Sequence, residues 1–123
     1  MKNLSHEDIE QINNMKNYLD SLPPVINDKK AYCFMITKSE INELLTQKND
    51  GQSLDGIRVY LGANVIEGHV IPNIHVIACE KDAENSYNDF EPETNNLKKQ
   101  DLPLVAQGKP CPTECGKKRF IYI

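Results

Sequence analysis

Two cysteines near the end of this sequence are the residues best suited to chemistry. Cys111 and Cys115 stand in the segment CPTEC, within the stretch GKPCPTECGKKRF. Pro112 suits the first position of a helical turn and Gly116 suits the position after its end, so a single turn would place both sulfurs on one side. A thiol at the positive end of such a turn, close in sequence to Lys109, favours the thiolate, which is the form that binds metals and attacks disulfides.

Three roles are open for this pair: metal ligands, a redox pair that alternates between dithiol and disulfide, or a structural turn that docks the C-terminal tail. The spacing C-x3-C differs from the C-x2-C of zinc ribbons and thioredoxins. Four-coordinate zinc would need further ligands, and the remaining candidates are His69, His75, Cys33 and Cys79. No cofactor is therefore predicted, although zinc at Cys111 and Cys115 stays open. Cys33 and Cys79 are expected to be small buried apolar residues.

A second group of polar residues lies on two predicted strands. Arg58 and Tyr60 alternate with apolar residues in GIRVYLGA, and His75 does the same in NIHVIACE. These three residues form either a recognition surface or the polar face of a sheet that meets water. A pocket that held them together with Cys79 would be the best place for an unfamiliar catalytic site. The sequence has no nucleophile elbow, zinc-protease motif, P-loop or dinucleotide fingerprint, which favours a non-catalytic protein over an enzyme.

Two amphipathic helices are predicted to position these residues. The first begins after the N-cap Ser5, carries apolar residues at steps of three and four, and ends at Pro23. The second begins at Thr37, which forms a capping box with Glu40 ahead of an apolar stripe at Ile41 and the two leucines that follow.

Three apolar segments predict the strands. AYCFMIT (31–37) is a continuous apolar run, as expected of a strand buried on both faces, while GIRVYLGA (56–63) and NIHVIACE (73–80) alternate. Between the last two, NVIEGHVIP is either a hairpin loop or a short extra strand. The order of elements predicts an α+β domain with two helices and a mixed sheet of three to five strands. It includes one strand–helix–strand crossover with a parallel pair, and the third strand returns antiparallel beside the second.

Length and charge define the organisation of the chain. Its 123 residues suit one domain over 1–123, with a cysteine-containing tail at 108–123 whose RFIYI could add a last strand. The net charge of −4 lies entirely in residues 80–101, so the segment 81–100 reads as an acidic, flexible loop. A chain without a basic patch is not expected to bind nucleic acid.

The sequence also favours one cellular compartment. Its first residues, MKNLSHEDIE, contain no apolar core of a secretory signal, and no apolar run is long enough for a membrane span. We therefore expect a soluble cytoplasmic protein that does not contact membranes. Thiols stay reduced in that compartment, so the four cysteines are not read as a disulfide framework.

The order of three segments resembles a group of small bacterial proteins of unassigned function. In that group a capped helix, here FMITKSEINELL, precedes a glycine-bounded strand, here GIRVYLG, and a C-P-x-x-C or similar pair closes the chain, here PCPTEC. The resemblance covers most of the chain and implies a layout without an activity. The positions that it singles out are Arg58, Tyr60, Gly62, Cys111, Pro112 and Cys115.

Two functions remain in view. The first is a non-catalytic interaction or accessory protein, which binds an unknown protein partner or forms a homodimer through an edge strand. The acidic segment and the basic tail residues Lys117, Lys118 and Arg119 could pair within one molecule or between two. The alternative is a thiol protein that binds a metal or forms a redox disulfide at Cys111 and Cys115.

Overall fold

Two helices and five strands make up the part of the chain that the structure describes. The computed structural model describes residues 1–22, 31–92 and 102–112, with the backbone alone at 111 and 112. In chain order the elements are α1 (His6–Ser21), β1 (Ala31–Met35), α2 (Lys38–Leu45), β2 (Gly56–Ile66), β3 (His69–Lys81), β4 (Tyr87–Asp89) and β5 (Lys109–Pro112). The predicted α+β class is confirmed.

Both helices begin where the sequence predicts, and each begins with a capping box. The Ser5 hydroxyl accepts from the Asp8 amide at 3.1 Å, and the Asp8 carboxylate accepts from the Ser5 amide at 2.8 Å. Thr37 and Glu40 make the same reciprocal pair at the start of α2, at 3.1 and 3.2 Å. Each box satisfies two amide groups that the first turn leaves without helical partners.

The two helices differ in what they bury. Leu44 of α2 is 2% exposed and belongs to the core, whereas α1 has no buried residue. A polar contact joins α1 to β1, because the Tyr32 hydroxyl donates to the Asp20 carboxylate. Burial, followed by this carboxylate, raises the pKa of Tyr32 to about 12. The apolar residues of α1 recur at helical spacing in the sequence, but they do not belong to the core.

The longest strands form one hairpin. β2 and β3 pair antiparallel without a register shift, from Gly56 opposite Cys79 to Ile66 opposite His69. The turn between them consists of Glu67 and Gly68, with φ of 50° and 80°. Positive φ at both central residues is the requirement of the type I′ turn, whose twist matches that of the flanking strands. The antiparallel pair is confirmed, and NVIEGHVIP is a hairpin turn with the strand ends on either side.

A second hairpin follows β3. Asp82 shapes its turn, since its carboxylate accepts from the amides of Glu84 and Ser86 at 2.9 and 3.0 Å. β4 then returns beside the end of β3, with Asp89 opposite Cys79. The first part of the predicted loop 81–100 is thus a hairpin, and residues 93–101 lie outside the described residues.

The strands lie in two sheets, and this corrects the predicted mixed sheet with a parallel crossover. β2, β3 and β4 form one antiparallel sheet in that order, while β1 pairs antiparallel with β5 in the other. The apolar run of β1 indicates a strand but contains nothing that selects its neighbour, and the partner comes from near the other end of the chain. β1 is also not buried on both faces, because Ala31 is buried while Cys33 and Met35 are exposed.

The core lies against one face of β3. Val76 is fully buried, and its backbone also pairs with Ala106, which brings the segment before β5 onto the sheet. Gly108 allows β5 to follow closely, because its φ is 71° and an added Cβ would lie 3.2 Å from the Phe34 Cβ. The buried apolar cluster consists of Leu44, Leu54, Ile74, Val76, Ala78, Phe90 and Ala106.

Candidate functional site: the uncovered strand β2

Strand β2 carries a row of exposed apolar side chains on one face. Ile57 is 41% exposed, Val59 48%, Leu61 87% and Val65 70%. These four residues alternate along the strand and therefore point to the same side of the sheet. We call them the β2 stripe.

The same face of the sheet is buried on the neighbouring strand. Val76, the register partner of Val59, is fully buried, and Ile74, the partner of Leu61, is 8% exposed. Among the described residues, the buried cluster includes residues of β3 and none of β2. This apolar face of the sheet is thus buried on β3 and exposed on β2, at the β2 stripe.

The outer backbone edge of β2 is also unpaired among the described residues. β2 stands at the end of the strand order β2–β3–β4, and no described residue pairs with its outer edge. Exposed edge strands in natural proteins are usually protected by lysines, prolines or bulges. β2 contains neither Lys nor Pro, its register is regular, and Arg58 is its single charged residue. An edge without these devices is suited to pairing with another strand.

The opposite face of β2 is polar and is satisfied within the molecule. Arg58 reaches across β3 and donates to the Asp89 carboxylate at 2.6 Å and to the Tyr87 carbonyl at 2.7 Å. The Tyr60 hydroxyl donates to the other Asp89 oxygen, and the Cys79 thiol lies 3.6 Å from the first. We call Arg58, Tyr60, Cys79 and Asp89 the Asp89 cluster. It ties the edge strand β2 to β4 on the far side of the sheet.

The electrostatics of the Asp89 cluster favour a structural role. The hydrogen bond from Tyr60, with the charge of Arg58 in support, lowers the pKa of Asp89. Burial raises the pKa of Cys79, and the Asp89 carboxylate adds to that rise against the opposing effect of Arg58. Cys79 therefore stays a protonated thiol at neutral pH, which is a poor nucleophile.

His75 lies on the same face, opposite Tyr60 in the hairpin register. Its ring lies over Gly62, where an added Cβ would come within 3.1 Å of His75 Cδ2 and 2.5 Å of Asn73 Oδ1. The absence of a side chain at Gly62 makes room for these two groups. The structure thus brings Arg58, Tyr60 and His75 to one face, as the alternation predicts.

An open cleft of about 460 Å³ lies beside the end of α2. Its walls include Lys48, Glu80 and Glu91, and Lys48 already pairs with Glu80 at 2.5 Å. The Asp50 carboxylate lies 4.0 Å from the same ammonium group. Because Lys48 is engaged in ion pairs with these carboxylates, the cleft offers no catalytic arrangement among its described lining residues.

Only one of the two cysteines of CPTEC lies among the described residues. Cys111 lies in strand β5 opposite Cys33, and Cys115 lies outside that range. Because Cys111 and Pro112 are extended, they do not start the predicted helical turn. In the described part of the chain, no group of three or more His, Cys, Asp or Glu residues could hold a metal ion. Zinc at Cys111 and Cys115 stays a prediction, since that group would include residues beyond 112.

Neither described helix has the length and apolar character needed to cross a membrane. No protein-family model, curated protein or solved structure matches this chain. The resemblance to the small bacterial group therefore stays a prediction, and function has to be argued from the geometry of the chain itself.

Sequence reasoning missed two parts of this surface. Asp89 stands in an acidic segment without apolar periodicity, so no signal separated it from the solvated carboxylates around it. The β2 stripe was visible as alternation, but alternation identifies a face and not what covers it.

Proposed function

We propose that this protein is a non-catalytic interaction protein that pairs with a second copy of itself along β2. The observation that carries the proposal is the β2 stripe beside an unpaired backbone edge, both on an 11-residue strand. Contiguous exposed apolar surface of this kind marks interaction sites in soluble proteins. The type of interface that suits it is strand addition, in which main-chain hydrogen bonds supply affinity and alternate side chains supply specificity.

A second copy is the partner that β2 fits chemically. In an antiparallel pair centred on Leu61, Ile57 would stand opposite the partner's Val65 and Val59 opposite the partner's Ala63. Apolar residues then meet apolar residues along the whole stripe, and the sheet continues across both copies. Such a two-fold contact is self-complementary, as in most homodimers.

Charge does not oppose this pairing. The β2 stripe contains no charged residue, and Arg58 lies on the other face, where Asp89 pairs with it. In the same centred register Arg58 would stand opposite the partner's Asn64, so the two arginines are not brought together. Like charges directly opposite each other would be destabilising in a sheet.

The described residues also support the non-catalytic part of the proposal. Cys79 is buried, protonated and hydrogen-bonded to a carboxylate, which is the reverse of an activated nucleophile. Arg58 and Tyr60 are engaged with Asp89, so they serve the sheet instead of facing a pocket.

The test is the mass of the full chain in solution, measured by sedimentation equilibrium over tens of micromolar, together with the variant Leu61→Lys. We expect the wild type to reach twice the chain mass of 14.0 kDa. In the variant two lysines would face each other at the two-fold axis, so the dissociation constant should rise at least about tenfold.

Leu102→Lys is the matched control, because Leu102 is 86% exposed against 87% for Leu61 but lies outside the sheet. It should dimerise like the wild type. A monomeric wild type, or equal effects of the two variants, would contradict pairing through β2 with a second copy. A monomer would make a strand of another protein the next partner to seek.

A further inference from the structure

The β1–β5 ribbon places two cysteines at one register position. Cys33 of β1 and Cys111 of β5 are direct partners, with Phe34 opposite Pro110 and Met35 opposite Lys109 on the next two positions. We propose that Cys33 and Cys111 form a reversible disulfide that closes this ribbon. The pairing differs from Cys111 with Cys115, and it is independent of the association proposed for β2.

The register alone brings the Cα atoms of residues 33 and 111 to a separation that a disulfide can span. Opposite residues of an antiparallel pair have Cα atoms about 4.5 or 5.5 Å apart, depending on whether the pair is hydrogen-bonded. Disulfides span Cα separations of about 4.4–6.8 Å, so both kinds of pair fall inside that range. The register therefore meets the Cα requirement for a disulfide between residues 33 and 111, beside the register shift between Ala31 and Cys33.

The composition of β5 explains why a covalent link would matter here. Pro110 and Pro112 have no amide hydrogen, so the four-residue strand has donors only at Lys109 and Cys111. A two-stranded ribbon is marginal in water even with a full set of hydrogen bonds. The two cysteine positions thus stand opposite each other in a strand pair with few main-chain donors.

Cys33 is placed where a small reagent can reach it. Cys33 and Met35 are exposed, while Phe34 between them packs against the core. Because side chains alternate across a strand, positions 33 and 111 belong to the face of the ribbon that is turned away from the core. Cys79, by contrast, is 3% exposed and belongs to the Asp89 cluster.

The reaction is thiol–disulfide exchange with a low-molecular-weight disulfide such as oxidised glutathione. One protein thiolate attacks the small disulfide, breaks its S–S bond and releases one thiol. The second protein thiolate then attacks the mixed disulfide and releases the other thiol. The protein loses two electrons and two protons, one S–S bond is exchanged for another, and the small disulfide is reduced to two thiols. Excess reduced thiol reverses both steps.

Peptide mapping of the full chain tests the proposal directly. The protein is equilibrated with oxidised glutathione, alkylated, and digested without reduction by trypsin and a glutamate-specific protease. Trypsin releases AYCFMITK with Cys33, and the second protease separates Cys111 from Cys115 by cleaving after Glu114. The expected product joins AYCFMITK to the peptide of Cys111. Its absence, or a link from Cys111 to Cys115 or between two chains, would overturn the proposal.

Thermal unfolding gives a second readout. Closing the loop between residues 33 and 111 restricts the unfolded chain, and we expect the oxidised protein to melt about 10 °C above the reduced one. Cys111→Ser should lose this difference, while Cys115→Ser, the matched control, should keep it. If Cys115→Ser also loses the difference, the pairing proposed here is wrong.

Discussion

β2 and β3 are neighbouring strands of one hairpin with opposite surroundings. Both alternate apolar with other residues, and Val59 and Val76 are the same residue type at one register position. Yet Val59 is 48% exposed and Val76 is fully buried. The difference lies in the buried cluster, which among the described residues includes Ile74, Val76 and Ala78 of β3 and no residue of β2. The same residue type at one register position thus belongs to the core in one strand and to the surface in the next.

The comparison also separates stability from association. Side chains on β3 contribute to folding because folding removes them from water. Side chains of the β2 stripe stay largely exposed in the described part of the chain, so most of their burial would come from a partner. Substitutions at two register partners, one on each strand, can measure whether a side chain contributes to stability or to association.

The largest effect is expected from Val76→Ala. Removing two buried methyl groups should lower the free energy of unfolding by about 2–3 kcal/mol, through lost burial and the cavity left behind. Val59→Ala, at the register partner, should lower it by less than about 1 kcal/mol in dilute protein. Urea denaturation at low protein concentration measures both. Equal losses would mean that β2 is covered in the single chain, and the comparison would fail.

Gly68→Ala should have the next largest effect. Gly68 has a φ of 80°, and an added Cβ would meet nothing within 4 Å, so the change acts through the backbone alone. A left-handed alanine costs about 1–2 kcal/mol, which should appear in the free energy of unfolding. The turn serves β2 and β3 equally, so this loss should not depend on what covers either strand.

Glu67→Asn provides the opposite change in the same turn. Glu67 has a φ of 50°, and Asn tolerates this region better and favours type I′ turns before Gly. We expect a gain of a few tenths of a kcal/mol, measured in the same denaturation series. A loss in this variant would contradict the assignment of the turn.

A small effect is also expected from Asp89→Asn, which loosens the tie between β2 and β4. The ion pair of Arg58 and Asp89 is half exposed, with side-chain exposures of 40% and 36%, so its removal should cost less than about 1 kcal/mol at neutral pH. Tyr60→Phe removes one donor and keeps the ring, and it should cost less again.

The pH dependence of this loss follows from the lowered pKa of Asp89. A carboxyl whose pKa is lowered by folding stabilises the protein above its unfolded pKa, close to 3.8, and that contribution disappears as pH falls through the lower folded pKa. The gap in unfolding free energy between wild type and Asp89→Asn should therefore be constant near pH 7 and shrink below about pH 4. A gap that does not change with pH would show that the Asp89 charge contributes nothing.

Local signals in the sequence predicted the helices and the main hairpin well. Ser5 and Thr37 mark helix starts because their hydroxyl groups satisfy amides only a few residues away. The antiparallel β2–β3 pair follows from two alternating segments close together in the chain, again a short-range relation, whereas NVIEGHVIP between them was compatible with a hairpin loop or a short extra strand. The α+β class could be read from these elements alone.

Relations between distant residues could not be read in this way. β1 pairs with β5 instead of lying parallel to β2, and Asp89 meets Arg58 from a segment that resembled a solvated loop. Each of these contacts joins two distant parts of the chain. The sequence of one part contains no signal that identifies the other.

Alternation along β2 and β3 was enough to assign an apolar and a polar face to each strand, because side-chain direction is a property of the strand itself. Which apolar face is buried depends on where Leu44, Phe90 and Ala106 pack, and these residues come from three separate segments. The tertiary structure alone therefore decided that this face is buried on β3 and exposed on β2, and that Cys33 stands opposite Cys111 in the strand register.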